Sequence, residues 1–217
     1  MASLFAPRNV ILAAVAVYAL AIGAAALERR AAGVDADALV AAAIGVSGAP
    51  ADRAAAMESF MRPMMANYPI VILIGIAIGW VGLTTIFFLV LKLVEAGLSW
   101  GTVFAATVYA TLAQAAARLI LTAALSAARP PTAEEIVQGA FLNTNVAAAL
   151  SPDSAPWLLA LGRQLDALTI LYLMVFAAVL GASGRSKASD NALATAVGIT
   201  FVLWIVVRVG WAFAFGR

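Results

Sequence analysis

Five apolar runs, each long enough to cross a bilayer, constrain this chain more than any other feature of its sequence. They cover residues 10–27, 70–94, 102–124, 158–182 and 192–215. A membrane-spanning helix needs ~20 mostly apolar residues, and unpaired backbone amides facing lipid are so costly that each run is expected to be helical. The sequence therefore predicts an all-α fold, a polytopic membrane helix bundle with five transmembrane helices, as one membrane domain over residues 1–217.

Composition supports the same class and disfavours most catalytic chemistry. Hydrophobic residues make up 65% of the chain and charged residues 11%, against roughly 45–50% and 25% in soluble domains. The chain has no Cys and no His, so thiolates and the commonest general base and metal ligand are missing. We therefore predict a protein that is not an enzyme and uses no cofactor or metal. Scattered basic residues do not predict nucleic-acid binding.

The two long loops predict short helices lying along the membrane interface. These cover residues 34–46, 51–66 and 132–142. In the third of them, Thr132 and Glu135 have the spacing of a capping box, which predicts a helix start at that point. Several methionines between positions 57 and 65 are interpreted as a flexible apolar face, in preference to copper(I) ligands.

A charged cluster is predicted where the third and fourth spans meet the membrane boundary. Arg118 lies about 16 residues into the third span, near the side where the fourth span begins, at a rise of ~1.5 Å per residue. Asp166 is then the acid best placed to reach it. The remaining members of the predicted polar cluster are Gln114, Arg163 and Glu95.

Three interpretations of this cluster remain open. A static ion pair between Arg118 and Asp166, joining the third and fourth spans, is favoured because intramembrane charges usually pair within the protein. The others are a solute or proton path through Asp166 and lipid-headgroup binding by Arg118 and Arg163. Gln114 continues a polar stripe with Thr107 and Thr111, which favours hydrogen bonding between helices over a channel lining.

The second span carries small residues on one face. Gly75 and Gly79 form a GxxxG pair, and Gly82 follows one turn later. This pattern permits close helix contact, either inside the bundle or between two copies of the chain.

Several segments resemble the Yip1 domain family as it occurs in bacteria. They are "GTVFAATVYATLAQ", "FLNTNVAAALSP" and "QLDALTILYLMVFAAVLGA". Asp166, Thr169 and Ile170 match the motif that opens the family's fourth span, and residues 109–111 match its third-span run. Leu168 and Leu171 stand where the family has aromatic residues. The resemblance implies five spans and a cytoplasmic amino terminus, and bacterial members have no established activity. The distribution of Lys and Arg between the loops leaves the orientation open.

Two functional hypotheses follow from the sequence. The first is a non-enzymatic scaffold or partner subunit in the bacterial cytoplasmic (inner) membrane, which would contact lipid and either another membrane protein or a second copy. The second is a small-solute or lipid transporter with its polar site between the third and fourth spans.

Overall fold

Helices form nearly all of the structure, a computed structural model that describes residues 4–151 and 154–215. Within those ranges there are nine α-helices, one 3₁₀ turn and no β-strand. Four helical segments among the described residues are long and apolar enough to cross a membrane, namely Pro7–Ala32, Tyr68–Leu93, Trp100–Ala128 and Asp190–Val207. The helices are α1 Pro7–Ala32, α2 Ala36–Ser47, α3 Ala51–Ala66, α4 Tyr68–Leu93, α5 Trp100–Ala128, α6 Ala133–Gln138, α7 Pro156–Gln164, α8 Ala167–Ala182 and α9 Asp190–Phe215, with the 3₁₀ turn at Val146–Ala149.

The predicted span over residues 158–182 is not one continuous helix. It is divided into α7 and α8 by a break at Leu165 and Asp166. The 16 residues of α8 extend for about 24 Å at ~1.5 Å per residue, which is short of a hydrocarbon core of ~30 Å. The predicted count of five spans is therefore not confirmed.

The helices predicted in the two long loops are present. α2 and α3 correspond closely to the predicted 34–46 and 51–66. α6 begins with the predicted capping box between Thr132 and Glu135. It ends at Gln138, earlier than predicted, because Gly139 adopts a left-handed conformation with φ of 64°, a geometry that commonly terminates helices.

An ion pair reinforces the start of α6. The guanidinium of Arg129 donates to both carboxylate oxygens of Glu135, at 2.7 and 2.8 Å. This bond, followed by the one from the backbone N–H of Thr132, holds the pKa of Glu135 below its ordinary value. The connection from α5 to α6 is thereby tied to the capping box.

Contacts along the chain divide it into two compact units. The first unit consists of Met1–Val17, Ile78–Ala115 and Thr144–Arg217, and the second of Tyr18–Ala77 and Ala116–Asn143. Helices α1, α4 and α5 each contribute residues to both. That the whole chain acts as a single membrane domain remains a prediction.

The core of the first unit is built on aromatic packing between α4 and α8. The rings of Phe87 and Phe176 lie 4.5 Å apart, and Tyr172 stacks on Phe176. Polar bonds accompany this packing. Thr84 donates to the hydroxyl of Thr107 at 3.1 Å, inside the unit. The main buried hydrophobic residues are Phe87, Leu91, Ala96, Leu98, Val103, Ala106, Ala110, Tyr172, Phe176, Leu180, Leu193, Ala196 and Val197.

The second unit packs α2 against α3 and α6. The apolar residues of α2 that it buries are Leu39, Val40 and Ala43. Arg29 of α1 places its guanidinium 4.0 Å from the ring centroid of Tyr68 and donates to the backbone oxygen of Met65 at 3.1 Å. One arginine near the end of α1 therefore holds the connection between α3 and α4.

A glycine allows α7 to lie directly against the 3₁₀ turn. A Cβ added at Gly162 would lie 2.8 Å from the backbone nitrogen of Ala147 and 2.9 Å from its Cα. Backbone atoms cannot rotate away as a flexible side chain can. The contact between α7 and the 3₁₀ turn therefore requires glycine at position 162.

We predict that Gly162→Ala destabilises the protein in detergent by about 1–3 kcal/mol, because α7 or the 3₁₀ turn must shift to admit the methyl group. Thermal unfolding of the purified protein measures this effect. Gly198→Ala is the control: this exposed α9 position has nothing within 4 Å of an added Cβ, so helix propensity should make it neutral or slightly stabilising. Equal effects of the two substitutions would contradict the contact.

Candidate functional site

Asp166 occupies the break between α7 and α8 and is the N-cap of α8. Its Oδ2 accepts a bond from the backbone N–H of Thr169 at 2.9 Å and one from the Thr169 hydroxyl at 3.0 Å. Its Oδ1 accepts a bond from the hydroxyl of Thr144. Both carboxylate oxygens are thus engaged by neutral donors, one of them a helix amide that would otherwise have no partner.

The backbone at this break is also paired. The N–H of Val146 donates to the oxygen of Leu165, and the N–H of Ala167 donates to the oxygen of Thr144, each at 3.1 Å. A helix interrupted at membrane depth must satisfy its released amide groups inside the protein. We call this arrangement of Thr144, Val146, Leu165, Asp166, Ala167 and Thr169 the Asp166 junction.

Three other residues of the predicted cluster lie in the first unit, at separate places. Gln114 is half-buried on α5, and Arg163 is exposed in the last turn of α7. Glu95 is exposed in the turn after α4, with a positive φ of 53°. Among the described residues of the first unit, no hydrogen bond or ion pair joins any two of these residues or joins one of them to Asp166.

Arg118 has a different acidic partner from the one predicted. Its guanidinium lies 3.4 Å from a carboxylate oxygen of Glu28, inside the second unit. The hydroxyl of Thr122 donates to the same oxygen at 3.4 Å. The interpretation of Asp166 as the partner of Arg118 is therefore corrected: Glu28 takes that role, and Asp166 caps α8.

Burial makes Glu28 the most constrained ionisable group of this cluster. Its side chain is 7% exposed, whereas that of Arg118 is 50% exposed. Removing a carboxylate from water costs several kcal/mol unless a cation and hydrogen bonds compensate. Arg118 and Thr122, one turn apart on α5, supply both, so the Glu28 cluster, defined as Glu28, Arg118 and Thr122, holds α1 against α5.

Glu28 could have been found from the sequence. The apolar run of the first span ends at Leu27, which leaves Glu28 just outside the predicted span, whereas α1 continues to Ala32. At ~1.5 Å per residue, Arg118 lies as deep as the far end of the first span. An acid one residue beyond that apolar run is therefore as well placed to reach Arg118 as an acid at the start of the fourth span.

The polar stripe on α5 serves contacts between helices, as the sequence predicted. Thr107 accepts the hydroxyl of Thr84, and Thr111 accepts the indole N–H of Trp80 at 3.0 Å. Thr122 extends the same stripe to Glu28. Thr107, Thr111 and Thr122 therefore bind residues of neighbouring helices, the usual role of such groups in membrane proteins.

The three glycines of α4 do not form helix contacts within the described chain. A Cβ added at Gly75, Gly79 or Gly82 would meet no atom within 4 Å. Their neighbour Ile86, one turn after Gly82, is 45% exposed. Of the two predicted uses of this face, packing inside the bundle is not found.

These arrangements hold helices together. The carboxylates of Glu28 and Asp166 are bound by hydroxyl, amide or guanidinium donors, and within residues 4–151 and 154–215 no group of three acidic side chains comes together that could ligate a metal ion. No protein-family model, curated protein or solved structure matches the chain. The geometry itself must therefore carry the functional argument.

We predict energetic coupling between Glu28 and Arg118. Arg118→Met should lower stability in detergent most, because it leaves a buried carboxylate with Thr122 alone, and Glu28→Gln should be milder. The double variant should lose less unfolding free energy than the sum of the two single-variant losses. The difference, which is the coupling energy, should be about 0.5–2 kcal/mol because Arg118 is half exposed. Thermal unfolding of the four proteins measures it. Strict additivity of the two substitutions would contradict the observed pairing.

We also predict that Asp166 stabilises the junction as a cap. Asp166→Ala should cost about 1–2 kcal/mol, as for other lost N-caps, while Asp166→Asn should cost less because an amide oxygen still accepts. Hydrogen exchange of the first-turn amides of α8 should accelerate in the same order. The control is Arg163→Ala, at an exposed neighbouring position, which should leave exchange unchanged; faster exchange in that variant would argue against a specific cap.

Proposed function

We propose that this chain is a non-enzymatic integral membrane protein that acts as a scaffold or partner subunit, binding another membrane-embedded helix through α4. Four helices of sufficient length and apolarity support its membrane location. The observation that carries the proposal is the exposed glycine face of α4, defined as Gly75, Gly79, Gly82 and Ile86.

The glycine face suits a helix partner for steric reasons. Gly75, Gly79 and Gly82 recur at i, i+4 and i+7, so they lie on one side of the helix. Small residues let two backbones approach closely, which is the main source of helix association where lipid is as apolar as the side chains. Because open space surrounds each of these glycines, the close approach is available to a second copy of the chain or to a different subunit.

The charged residues support binding over transport. Glu28 is engaged by Arg118 and Thr122, and Asp166 by Thr144 and Thr169. The alternative of a small-solute or lipid transporter required Arg118 and Asp166 to share one polar site. Since each has a separate structural role, no observation favours that alternative.

We further propose that α7 and α8 together form the fifth membrane segment. The chain would then resemble a Yip1-like protein of a bacterial cytoplasmic membrane, with a cytoplasmic amino terminus. The Asp166 junction supports a broken segment at membrane depth, because its exposed amides are paired. The resemblance rests on the sequence motifs alone.

Site-specific crosslinking tests the proposed face of α4. The chain has no Cys, so Ile86→Cys can carry a thiol-attached photocrosslinker on the glycine face without altering a glycine. The matched control is Val81→Cys: Val81 is 54% exposed against 45% for Ile86 and lies about 140° around the helix at 100° per residue. We expect a protein adduct in native membranes from position 86 and only lipid adducts from position 81.

A second substitution separates a helix interface from chance proximity. Gly82→Leu, added to Ile86→Cys, should abolish the protein adduct because the larger side chain prevents close backbone approach. The adduct's mass distinguishes a second copy from another subunit. Lipid adducts alone at both positions would overturn the proposed partner face.

A further inference from the structure

A cavity of about 350 Å³ in the first unit has two chemically distinct walls. One wall is apolar and comes mainly from the beginning of α1, with Phe5, Val10 and Ile11. The other is polar and contains Thr102 and Arg185, with Ser99 beside them. The volume lies within the range of about 300–1,000 Å³ typical of small-molecule sites. A ligand filling it would need a polar group attached to an apolar body.

Arg185 supplies the positive charge of this cavity. Its Nη1 donates to the hydroxyl of Thr102 at 3.4 Å, and its Cζ lies 5.5 Å from the ring centroid of Phe5. The hydroxyls of Ser99 and Thr102 are 2.9 Å apart. Among the described residues, Arg185 makes no ion pair with a carboxylate. Most of its five N–H donors are thus available to an anion.

The cavity lies where two candidate membrane helices begin. Pro7 of α1 and Gly101 of α5 both line it, and both helices are long and apolar enough to span a membrane. Trp100 opens α5 and stacks on Phe104 with the ring centroids 5.1 Å apart, and tryptophan is enriched at membrane–water interfaces. The beginning of a membrane-spanning helix is where phospholipid phosphates are expected.

The surrounding charge also favours an anion. Arg8 lies in the first turn of α1, Lys92 in the last turn of α4 and Lys187 two residues beyond Arg185. The backbone N–H of Lys187 donates to Ala96 at 2.9 Å, which joins the loop after α8 to the turn after α4. Basic groups near an interface attract anionic lipid. The acidic residues in the same connections are Glu95 and Asp190.

We propose that this cavity binds the phosphate of an anionic glycerophospholipid. The guanidinium of Arg185 and the hydroxyls of Thr102 and Ser99 bind the phosphate oxygens, since planar guanidinium groups pair with phosphate through parallel hydrogen bonds. The apolar wall of Phe5, Val10 and Ile11 contacts the beginning of an acyl chain. The site is separate from the glycine face of α4 and does not depend on the function proposed for that face.

Lipid binding to the purified full-length protein tests this assignment. Native mass spectrometry from a neutral detergent, with phosphatidylglycerol or phosphatidylcholine added, reports the bound lipid. We expect the wild type to retain phosphatidylglycerol and little phosphatidylcholine. Arg185→Gln should bind phosphatidylglycerol with an affinity about tenfold lower, the size expected for losing a charged hydrogen bond. Equal retention of the two lipids by the wild type would overturn the proposal.

Matched variants and a free anion make the test specific. Arg163→Gln removes the same charge from the first unit at an exposed position that does not line the cavity, and it should bind like the wild type; a loss equal to that of Arg185→Gln would mean diffuse charge attraction and would overturn the site. Arg185→Lys, with thermal unfolding as a folding check, should bind between wild type and Arg185→Gln. Millimolar inorganic phosphate should not displace the lipid, and complete displacement would identify a free-anion site instead.

Discussion

A carboxylate carried by an apolar helix must find its partners inside the protein, and this requirement organises the structure at two places. Glu28 is buried near the end of α1, where the half-exposed Arg118 and the hydroxyl of Thr122 reach one of its oxygens. Without them the helix would carry a buried charge against apolar surroundings. This pairing holds α5 beside α1 in the second unit.

Asp166 meets the same requirement with neutral donors. It has no cationic partner among the described residues, yet its two oxygens accept bonds from the hydroxyls of Thr144 and Thr169 and from one helix amide. A carboxylate used in this way ends one helix and starts another. The 16-residue α8 therefore begins at the one residue that interrupts an otherwise apolar segment.

The sequence predicts the helices well and the break poorly, for an identifiable reason. Apolar composition reports that a segment avoids water, and it indicates α1, α4, α5 and α9, whereas the capping box of Thr132 and Glu135 indicates the start of α6. It does not report whether a helix is continuous, because a break that satisfies its own amides is as compatible with lipid as an intact turn. The pattern Asp166-x-x-Thr169 did contain the signal, since an Asp three residues before a donor is a capping arrangement. Its partner Thr144, 22 residues earlier, is a tertiary contact that local pattern cannot reveal.

The motif that resembles the Yip1 domain family also has a local structural role in this chain. Asp166 and Thr169, two of its matching residues, bond to each other through the N-cap of α8. Any protein that starts a membrane helix after a polar loop has a physical reason to use this pair. The match is therefore explained by helix capping and does not by itself indicate common ancestry. The exposed glycines of α4 contact no neighbouring helix in the described chain, and Arg185, which donates to Thr102, has no carboxylate partner among the described residues. A side chain that satisfies a neighbour is explained by the fold, and these are the two places where we propose contacts with molecules outside the chain.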